Sequence, residues 1–382
     1  MLHILADNNI SLVSEACNAL GEVRLYESRT IRKEDLQWAD VLLCRSTIKV
    51  DRALLDGTKI RFVATATSGD EHFDKAFLDE ANIRYANATG SNARSVAEYV
   101  FASLFSLAAN KRFSLLEKSI GIIGVGHVGT WVEHIASNLG MKTKLNDPPK
   151  RERTGDASLG SIEEALNADI ITLHVSYSKN GAHTTHHLFD EKRLRSLHPN
   201  QILINTSRGS VVDQDAFFAL SDTTPFHSVV FDVFENEPHI DLSLFQFIDI
   251  ATPHIAGHSH DGKLLGTQMV YESLCLFLQQ KPSWNYLESL APIDPILPKL
   301  DPLRDRLEEQ VSDIIKYAYH VRMDDRSFRN IVLREQSQRA DYFDALRGNY
   351  PHRREFTHYP IIASGLSEQV QSVLRGLGFQ LT

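Results

Sequence analysis

The sequence predicts an α/β protein with two doubly wound parallel-sheet domains and a small α+β domain at the carboxyl end. Its 382 residues exceed the ~250–300 at which a single hydrophobic core stops growing. Short apolar runs alternate with amphipathic helical stretches, which is typical of parallel sheets joined by crossover helices. The alternation stops at a long apolar helix predicted at 93–109, restarts near residue 119, and gives way to a proline-rich stretch at 281–302.

The first domain is predicted to contain five strands with short helices between them. The strands are expected at 2–5, 23–26, 41–45, 62–66 and 84–86, with helices such as 11–20 and 73–80. A further helix, predicted at 261–279, is long enough to travel back across the molecule. We therefore expect a discontinuous first domain that comprises 1–92 and 258–284.

The second domain, predicted at 93–257, repeats the alternation after the apolar helix. Its strands are expected at 120–123, 143–146, 170–175, 202–205, 229–233 and 248–251. Ser161 and Glu164 match a capping box, in which two side chains accept hydrogen bonds from backbone N–H groups at the start of a helix. This pattern indicates a self-contained doubly wound sheet.

The third domain, predicted at 285–382, begins within the proline-rich stretch. Helices are expected at 303–318, 336–346 and 367–377, with one strand at 358–363. A module of this size is marginally stable alone, so it gains by docking or by pairing with another subunit.

Composition and charge exclude several function classes. The chain carries 40 basic and 49 acidic residues, whereas general binding to nucleic acid or to an anionic membrane requires a basic surface. The amino terminus has neither a basic leader nor a long apolar run, so no signal peptide or membrane span is predicted. Three scattered cysteines are too few for a disulfide framework or a metal cluster, which predicts a cytoplasmic protein without a metal site.

A glycine-rich turn follows the strand predicted at 120–123 and opens a helix. In this context the pattern GVGHVG predicts a dinucleotide-binding site, because glycine permits a tight turn and lets the backbone approach a pyrophosphate at the helix start. The predicted cofactor contacts in this turn are Gly124, Gly126, His127, Val128 and Gly129.

Asp147 lies at the end of the next predicted strand, where dinucleotide-binding domains place the acceptor for the adenosine ribose hydroxyls. A carboxylate at this position would repel a 2′-phosphate, so NAD is favoured over NADP. The nearby cations Lys150, Arg151 and Arg153 weaken this preference. An ordinary surface aspartate beside a glycine turn is the alternative interpretation.

Polar segments follow three more predicted strands of the second domain, at 205–209, 232–238 and 252–257. Ligands bind at the carboxyl ends of the strands in open α/β sheets. Taken singly, Arg208 could form a surface ion pair, Glu237 could be a solvated acid, and His254 could be a capping or core histidine. Their occurrence together after a dinucleotide motif predicts a catalytic site.

The oxidation of a 2-hydroxy acid needs these three side chains, because each handles a different charge. Arg208 can bind a carboxylate through two parallel hydrogen bonds. His254 can take the hydroxyl proton as hydride leaves, and Glu237 can stabilise the imidazolium that results. Hydride transfer itself belongs to a nicotinamide cofactor.

These motifs resemble the D-2-hydroxyacid dehydrogenase superfamily, through GVGHVG, Asp147, Arg208-Gly209, Glu237-Pro238 and TPHIAG at 252–257. The resemblance implies a flavodoxin-like substrate domain and a Rossmann domain that binds NAD. Further segments resemble the members that act on 4-phospho-D-erythronate: CRST at 44–47, TATSG at 65–69, EYVF at 98–101, DPP at 147–149 and RRE at 353–355. They imply oxidation of this phosphorylated 2-hydroxy acid in pyridoxal phosphate biosynthesis, by a homodimer whose carboxyl-terminal domain forms the interface.

The resemblance also assigns roles to individual residues. Arg208, Glu237 and His254 are implied to be catalytic, with His254 donating the proton in the direction of reduction. Ser46 and Thr67 are implied to contact the substrate. The implied NAD contacts beyond the glycine turn are Asp147, Val175, Thr206, Ser207, Arg208, Asp232 and Gly257.

The chain departs from the family pattern at two positions. His258 stands where the family usually has tyrosine, and Val175 follows His174 where the family usually has threonine, so only the backbone of Val175 could contact the cofactor. Arg45, Lys49 and His258 could form a cationic pocket. Such a pocket would suit a substrate with a carboxylate at one end and a phosphate at the other.

Two alternatives are open at this point. One is another member of the superfamily, such as a 3-phosphoglycerate or glyoxylate/hydroxypyruvate dehydrogenase. The β-α-β-β-α-β order of a ferredoxin-like regulatory domain, however, does not match the helix-first pattern after residue 303. The other is a non-catalytic dimer that senses NAD on the same scaffold, which a turnover assay would distinguish from an enzyme.

Overall fold

The computed structural model of the protein describes residues 1–28, 30–221 and 226–382. The described chain divides into two compact units. Unit 1 comprises Met1–Asn92 and Ser259–Pro292, and unit 2 comprises Ala93–His258 and Ile293–Thr382. None of the helices in the described ranges combines the length and the apolar character needed to cross a membrane.

Unit 1 contains a parallel sheet of five short strands. They are β1 (His3–Asp7), β2 (Glu22–Tyr26), β3 (Val41–Cys44), β4 (Phe62–Thr65) and β5 (Arg84–Asn87), and the first helices are α1 (Val13–Cys17), α2 (Arg52–Leu55) and α3 (Lys75–Glu80). The strands lie in the order β2-β1-β3-β4-β5, which is the flavodoxin-like order. β3 and β4 are buried along their whole length, which accounts for their unbroken apolar sequences.

Unit 2 begins with a long buried helix, α4 (Ala93–Lys111), followed by a second parallel sheet. Its strands are β6 (Ser119–Ile123), β7 (Lys142–Asn146), β8 (Ile170–Leu173), β9 (Ile202–Asn205), β10 (Ser228–Phe231) and β11 (Ile250–Ala251). The helices between them are α5 (His127–Asn138), α6 (Pro148–Thr154), α7 (Ile162–Leu166), α8 (Glu191–Arg195) and α9 (Gln214–Ser221).

The strand order of this sheet is β11-β10-β9-β8-β6-β7. An isolated parallel bridge between Leu145 and Leu159 extends the sheet beyond β7. With this bridge counted as a strand, the order becomes that of the Rossmann fold, in which the chain reverses direction across the sheet between its first and fourth strands. The reversal lies between β6 and β8, so a dinucleotide is expected at the carboxyl ends of these two strands.

The chain returns to unit 1 through α10 (His260–Phe277). Val270, Tyr271, Leu274 and Cys275 from this helix are fully buried in the same core cluster as residues of β1, β3 and β4. Unit 1 is therefore completed only by a segment that follows most of unit 2 in the sequence.

The last part of unit 2 consists of four helices and a two-stranded parallel sheet. They are α11 (Leu307–Ala318), α12 (Val321–Arg329), α13 (Arg339–Gly348), β12 (Pro360–Ile361), α14 (Glu368–Leu377) and β13 (Gln380–Leu381). α11 packs against α4, and α14 packs against α5, so their apolar residues share one core with the Rossmann sheet. The predicted division into three domains, with 285–382 separate, stays a prediction.

Two elements of this part, α12 and β13, are not predicted from the sequence. α12 buries Val321, Asp325 and Phe328 on one face, and the acid within this face interrupts the apolar periodicity. Asp325 accepts a hydrogen bond from the backbone nitrogen of Ala251 at 2.8 Å and pairs with Arg329 at 2.8 Å. The buried charge is therefore satisfied by one partner four residues along the same helix and by one distant backbone group that no local pattern shows.

Candidate active site

The glycine turn between β6 and α5 is shaped by close backbone contacts. Gly124 has a φ of 89°, and a Cβ added there would lie 2.8 Å from the backbone nitrogen of Val175. A Cβ added at Gly129 would lie 2.0 Å from the carbonyl oxygen of Gly124. At Gly126, by contrast, an added Cβ would have no neighbour within 4 Å. The turn is therefore tightly packed at its ends and open at its centre.

The open centre fits the pyrophosphate of a dinucleotide. Gly126 is the N-cap of α5 and no side chain caps this helix, while the N–H groups of its first turn, including those of His127 and Val128, have no intrahelical acceptor. The turn borders a cavity of about 680 Å³. The cavity is lined by Val125, Gly126, His127, Thr130, Trp131, His134, Asp147, Pro149, Lys150 and Arg153.

Asp147 lies at the carboxyl end of β7, in the wall of this cavity. Its Oδ2 accepts a hydrogen bond from the backbone nitrogen of Val125 at 2.9 Å, and its Oδ1 accepts one from the backbone nitrogen of Lys150 at 2.9 Å. The Nζ of Lys150 donates to the carbonyl oxygen of Val125 at 2.9 Å. The carboxylate is therefore fixed beside the glycine turn, where ribose hydroxyls can donate to its remaining lone pairs.

His174, directly after β8, orients residues that are predicted to bind the cofactor. Its Nδ1 lies 3.0 Å from Oγ1 of Thr206, and its Nε2 lies 2.9 Å from Oγ1 of Thr172. Burial lowers the pKa of His174 to about 3, so the neutral ring bridges two hydroxyl groups. Ser207 is fixed as well, because its N and Oγ both donate to Oδ1 of Asn205, at 3.0 and 2.8 Å.

Arg208 lies in the loop after β9 and is partly exposed. Its Nη1 donates to the carbonyl oxygen of Ser207 at 2.9 Å. The next residue packs on the loop after β10, since a Cβ at Gly209 would lie 1.9 Å from the carbonyl carbon of Phe234. The backbone nitrogen of Phe234 donates to Oε1 of Glu237 at 2.8 Å. The loops that carry Arg208 and Glu237 are therefore in direct contact.

Glu237 and His254 form a pair. Oε2 of Glu237 lies 2.8 Å from Nδ1 of His254, and both side chains are partly buried. Burial opposes the ionisation of Glu237, but the attraction to His254 and the hydrogen bonds from His254 and Phe234 outweigh it, so the pKa of Glu237 is lowered. Because Nδ1 is engaged, Nε2 is the ring nitrogen that can exchange a proton with a substrate.

The loop that presents His254 is fixed by a buried aspartate. Asp232 is 1% exposed, and its carboxylate accepts hydrogen bonds from the backbone nitrogens of Ile255 at 2.8 Å and Ala256 at 3.0 Å. Oγ1 of Thr252 also donates to it, at 2.6 Å. Burial raises the pKa of Asp232 to about 6, although these hydrogen bonds and nearby His254 act against the shift. The observed contacts give Asp232 a role in the loop, and its predicted contact with the cofactor stays a prediction.

His187, which the sequence analysis does not predict, links the loops that carry Arg208 and Glu237. Its backbone nitrogen donates to the carbonyl oxygen of Ser210 at 2.7 Å. Its Nε2 lies 2.9 Å from Oε1 of Glu235. No spacing in the sequence connects these positions, so only the fold shows that His187 supports both loops.

Three of the predicted substrate contacts lie in unit 1. Arg45 and Ser46 follow β3 and Thr67 follows β4, so all three lie at the carboxyl edge of the sheet. Oγ1 of Thr67 lies 2.7 Å from Oγ1 of Thr65 and donates to the carbonyl oxygen of Gly69 at 3.0 Å. Contact of these residues with a substrate stays a prediction.

The fourth predicted substrate contact, His258, lies in unit 2. Its backbone nitrogen donates to the carbonyl oxygen of Ile255 at 2.8 Å, and its ring packs edge-on against Tyr350 with centroids 5.6 Å apart. Gly257 precedes it and is partly exposed. Both residues therefore end the loop that presents His254.

Solved structures of known enzymes share this fold. The D-lactate dehydrogenase of Aquifex aeolicus, complexed with NAD and lactic acid, has a TM-score of 0.58 and 23% identity, with 72% of this chain and 95% of the other covered. The NAD-bound 3-phosphoglycerate dehydrogenase of Entamoeba histolytica has a TM-score of 0.60 and 21% identity, with 73% and 95% covered. At such low identity the likeness shows the fold alone.

Two family models match the sequence. The model described as D-isomer specific 2-hydroxyacid dehydrogenase, NAD binding domain, matches residues 91–256. A domain of unknown function (DUF3410) matches residues 296–378. The fold, the site and these matches define an NAD-dependent 2-hydroxyacid dehydrogenase.

Relatives match the chain over its whole length. The erythronate-4-phosphate dehydrogenase of Salinibacter ruber is 39% identical over 100% of this chain and 99% of its own length. The erythronate-4-phosphate dehydrogenase of Escherichia fergusonii is 39% identical over 99% of this chain and 98% of its own length. The chain belongs to the erythronate-4-phosphate dehydrogenase family.

Replacing Gly126 with alanine is expected to weaken NAD binding without weakening the fold. The added Cβ meets no atom of the protein, so the free energy of unfolding should change by less than about 0.5 kcal/mol. The same methyl group would occupy the approach of a pyrophosphate to the start of α5. NAD affinity, measured by quenching of protein fluorescence, should fall at least ~10-fold, or about 1.4 kcal/mol.

Gly129→Ala is the matched control for this variant. Its Cβ would lie 2.0 Å from the carbonyl oxygen of Gly124, so we expect a loss of about 1–3 kcal/mol in the free energy of unfolding. An NAD affinity of Gly126→Ala equal to that of the wild type would contradict the assignment of the turn.

Proposed function

We propose that the chain oxidises 4-phospho-D-erythronate to (R)-3-hydroxy-2-oxo-4-phosphobutanoate with NAD, as a step of pyridoxal 5′-phosphate biosynthesis. The proposal rests on one observation above all, the 2.8 Å pair between Glu237 and His254 on a dinucleotide-binding fold. A histidine paired in this way can remove the proton of a hydroxyl group while the carbon that bears this hydroxyl loses a hydride. The family to which the chain belongs supports the choice of substrate.

His254 takes the C2 hydroxyl proton on Nε2. Glu237 engages Nδ1 and stabilises the positive charge that the ring gains. In the direction of reduction the same nitrogen returns the proton. His254 has a φ of 57°, which costs about 1–2 kcal/mol and is maintained by the hydrogen bonds of the loop to Asp232.

Arg208 binds the C1 carboxylate. Its guanidinium presents parallel N–H groups that match two carboxylate oxygens, so binding also fixes the orientation of C2. The contact between Gly209 and Phe234 supports this role, because it places the Arg208 loop against the Glu237 loop. Bound NAD would supply the acceptor for the hydride that leaves C2.

The phosphate end of the substrate is proposed to bind where α10 crosses the carboxyl edge of the sheet in unit 1. Oγ1 of Thr267 donates to the carbonyl oxygen of Ser11, beyond β1, at 2.7 Å. A Cβ at Gly266 would lie 3.0 Å from the carbonyl oxygen of Ala66, just after β4. β3 lies between β1 and β4, so this part of α10 passes over the end of β3, where Arg45 follows.

Lys263, one turn earlier in α10, is the second cation of this phosphate site. Its pKa is lowered, first by burial and then by the positive charge of Arg45, which supports their proximity. The ion pairs described in unit 1 join other residues and involve neither of these cations. Lys49, which is predicted from the sequence for this role, is exposed, whereas Lys263 is not predicted from the sequence.

Replacing Arg45 or Lys263 with alanine is expected to raise KM for 4-phospho-D-erythronate by ~10–100-fold, as expected for the loss of a charged hydrogen bond. KM for unphosphorylated erythronate should change much less, because this substrate has no phosphate to lose. Initial rates with both substrates provide the measurement. Lys49→Ala is the control, and equal effects on the two substrates would reject the phosphate site.

The function itself is tested with purified protein, NAD and a panel of 2-hydroxy acids, phosphorylated and not. NADH absorbance should rise fastest with 4-phospho-D-erythronate and more slowly with 3-phosphoglycerate. Single-turnover traces belong in the test, because NADH that stays bound would be missed in steady state. Absence of NADH in both assays would favour the alternative of an NAD-sensing dimer.

A homodimer is proposed as well, with its interface in the carboxyl-terminal part of unit 2. Large apolar side chains in this part are exposed, namely Leu297, Leu303, Tyr317, Met323, Val332 and Leu333. Light scattering should give twice the mass of one chain for the wild type. Leu333→Asp, which puts a charge on a side chain that is 79% exposed, should lower this mass if the surface is the interface. A monomeric wild type would exclude the dimer.

A cytoplasmic location is also proposed. Cys17, Cys44 and Cys275 are all buried and form no disulfide. Unpaired cysteines are typical of proteins in a reducing compartment.

A further inference from the structure

The carboxyl-terminal part of unit 2 contacts the loop that presents His254 through one buried side chain. Arg353 is 5% exposed, and its Nη2 donates to the carbonyl oxygen of Ala256 at 2.9 Å and to that of Ser95 at 2.7 Å. Ala256 lies two residues after His254, and Ser95 belongs to α4. One guanidinium nitrogen therefore joins the loop to the central helix of the unit.

Arg353 is itself fixed by its neighbours. The guanidinium lies over the ring of Tyr319, with 4.2 Å between Cζ and the ring centroid. Three residues further along the chain, the backbone nitrogen of Phe356 donates to Oε1 of the buried Glu98 in α4 at 3.0 Å. A guanidinium with these contacts has little freedom, so it determines where the carbonyl of Ala256 lies.

Two buried charges thus restrain consecutive peptide groups of the loop, one through N–H groups and the other through a carbonyl. The carboxylate of Asp232 accepts from the backbone nitrogens of Ile255 and Ala256, and the guanidinium of Arg353 donates to the carbonyl of Ala256. Removal of Arg353 would leave this carbonyl buried without its charged donor. The loop would then be restrained on its N–H side only.

We propose that Arg353 is a positioning residue for the reaction, which fixes the 252–258 loop so that His254 keeps its alignment with Glu237 and with the substrate. The segment matched by the domain of unknown function thereby forms part of the support of the active site. The inference rests on the proposed function in one respect, the proton-transfer role of His254. It adds a further residue to that function, since Arg353 lies almost 100 positions after His254, the last predicted catalytic residue.

Arg353→Met tests the proposal, because it removes the donors and keeps an unbranched apolar side chain. We expect kcat for 4-phospho-D-erythronate to fall at least ~10-fold, since small misplacements of catalytic groups can cost up to ~100-fold in rate. The affinity for NAD should stay within about 3-fold of the wild type, because the glycine turn is not altered. Hydrogen exchange of the amides of Ile255 and Ala256, followed by mass spectrometry, should become at least ~10-fold faster.

Ser95→Ala is the matched control. It removes the hydrogen bond from Oγ of Ser95 to Oε1 of Glu355 at 2.7 Å, which also attaches this segment to α4. It keeps the carbonyl of Ser95 and therefore both hydrogen bonds of Arg353. We expect it to reduce stability while kcat and the exchange of the loop amides stay within about 2-fold of the wild type.

The outcomes distinguish a positioning role of Arg353 from a role in stability alone. A fall in kcat and faster loop exchange in Arg353→Met, without either change in Ser95→Ala, would support the proposal. Equal effects of the two variants, or an unchanged kcat in Arg353→Met, would overturn it. If Arg353→Met does not fold, Arg353→Leu is judged by the same criteria, because leucine also removes the donors, whereas lysine could donate to both carbonyls from one nitrogen.

The exchange measurement also distinguishes this inference from the proposed function. If the wild type fails to oxidise any 2-hydroxy acid, the proposed function is wrong, but exchange at Ile255 and Ala256 still reports whether Arg353 restrains the loop. Unchanged exchange in both Arg353 variants would then reject the positioning role independently.

Discussion

Replacing His254 with asparagine is expected to lower kcat by about 10²–10⁴-fold, the usual contribution of a positioned general acid or base. Asparagine is the informative substitution, because residue 254 has a φ of 57° and asparagine adopts this left-handed conformation more readily than most residues. The fold of the loop should therefore be preserved. NADH formation in single turnover with 4-phospho-D-erythronate provides the measurement, since it reports the chemical step.

NAD affinity is the internal control for His254→Asn. It should stay within about 3-fold of the wild type, because the glycine turn and Asp147 are unaltered. KM should change less than kcat, as expected for a group that acts mainly in the transition state. A single-turnover rate within about 10-fold of the wild type would exclude His254 as the proton acceptor.

Glu237→Gln is expected to lower kcat roughly 100-fold or more, because it forces the wrong tautomer on His254. In the wild type, Oε1 of Glu237 accepts from the backbone nitrogen of Phe234, and Oε2 faces Nδ1 of His254. Glutamine has one oxygen, which the N–H group of Phe234 requires. The amide NH₂ then faces Nδ1 and donates to it, so the proton moves to Nε2 and the ring cannot act as a base.

The effect of this substitution on stability should depend on pH. The pKa of Glu237 is lowered from its usual value near 4.5, so the ionised carboxylate of Glu237 stabilises the folded protein above about pH 4.5. This contribution is lost as pH falls through the lowered value. Urea unfolding should therefore show that the difference in the free energy of unfolding between wild type and Glu237→Gln is larger at pH 7 than at pH 4. A difference that grows as pH falls would contradict the assigned charge state.

Much of the fold could be predicted, because burial leaves a local pattern in the sequence. The strands predicted at 41–45 and 62–66 are β3 and β4, whose residues are buried on both faces of the sheet. The helix predicted at 93–109 is α4, which is buried almost all round and is therefore apolar all round.

The errors arise where tertiary contacts replace the local pattern. The helix predicted at 11–20 is only Val13–Cys17, since Leu12 adopts a left-handed φ of 55° just before it. α12 is missed because the buried Asp325 is compensated by Arg329 and by a backbone N–H group from β11. Arg329 is only four residues away, but the backbone N–H group belongs to Ala251, 74 positions earlier in the chain.

The candidate active site could likewise be predicted only in part from the sequence. The glycine turn and Asp147 follow predicted strands at fixed spacing, and the structure joins Glu237 to His254 as the sequence suggests. Their chemical roles stay predictions until kinetics test them. His187 and Lys263 give no signal in the sequence, and the RRE segment at 353–355 does not indicate what Arg353 contacts, because all three side chains act through a backbone or charge contact with a distant segment.

The discontinuity of unit 1 has a consequence for biosynthesis. The first five strands emerge from the ribosome early. α10 fills their core with Val270, Tyr271 and Leu274, but it emerges only after residues 93–258 of unit 2 have been synthesised. At ~5–20 residues per second this interval lasts on the order of 10–30 s. During that time the nascent chain exposes an apolar sheet face that chaperones would need to shield from aggregation.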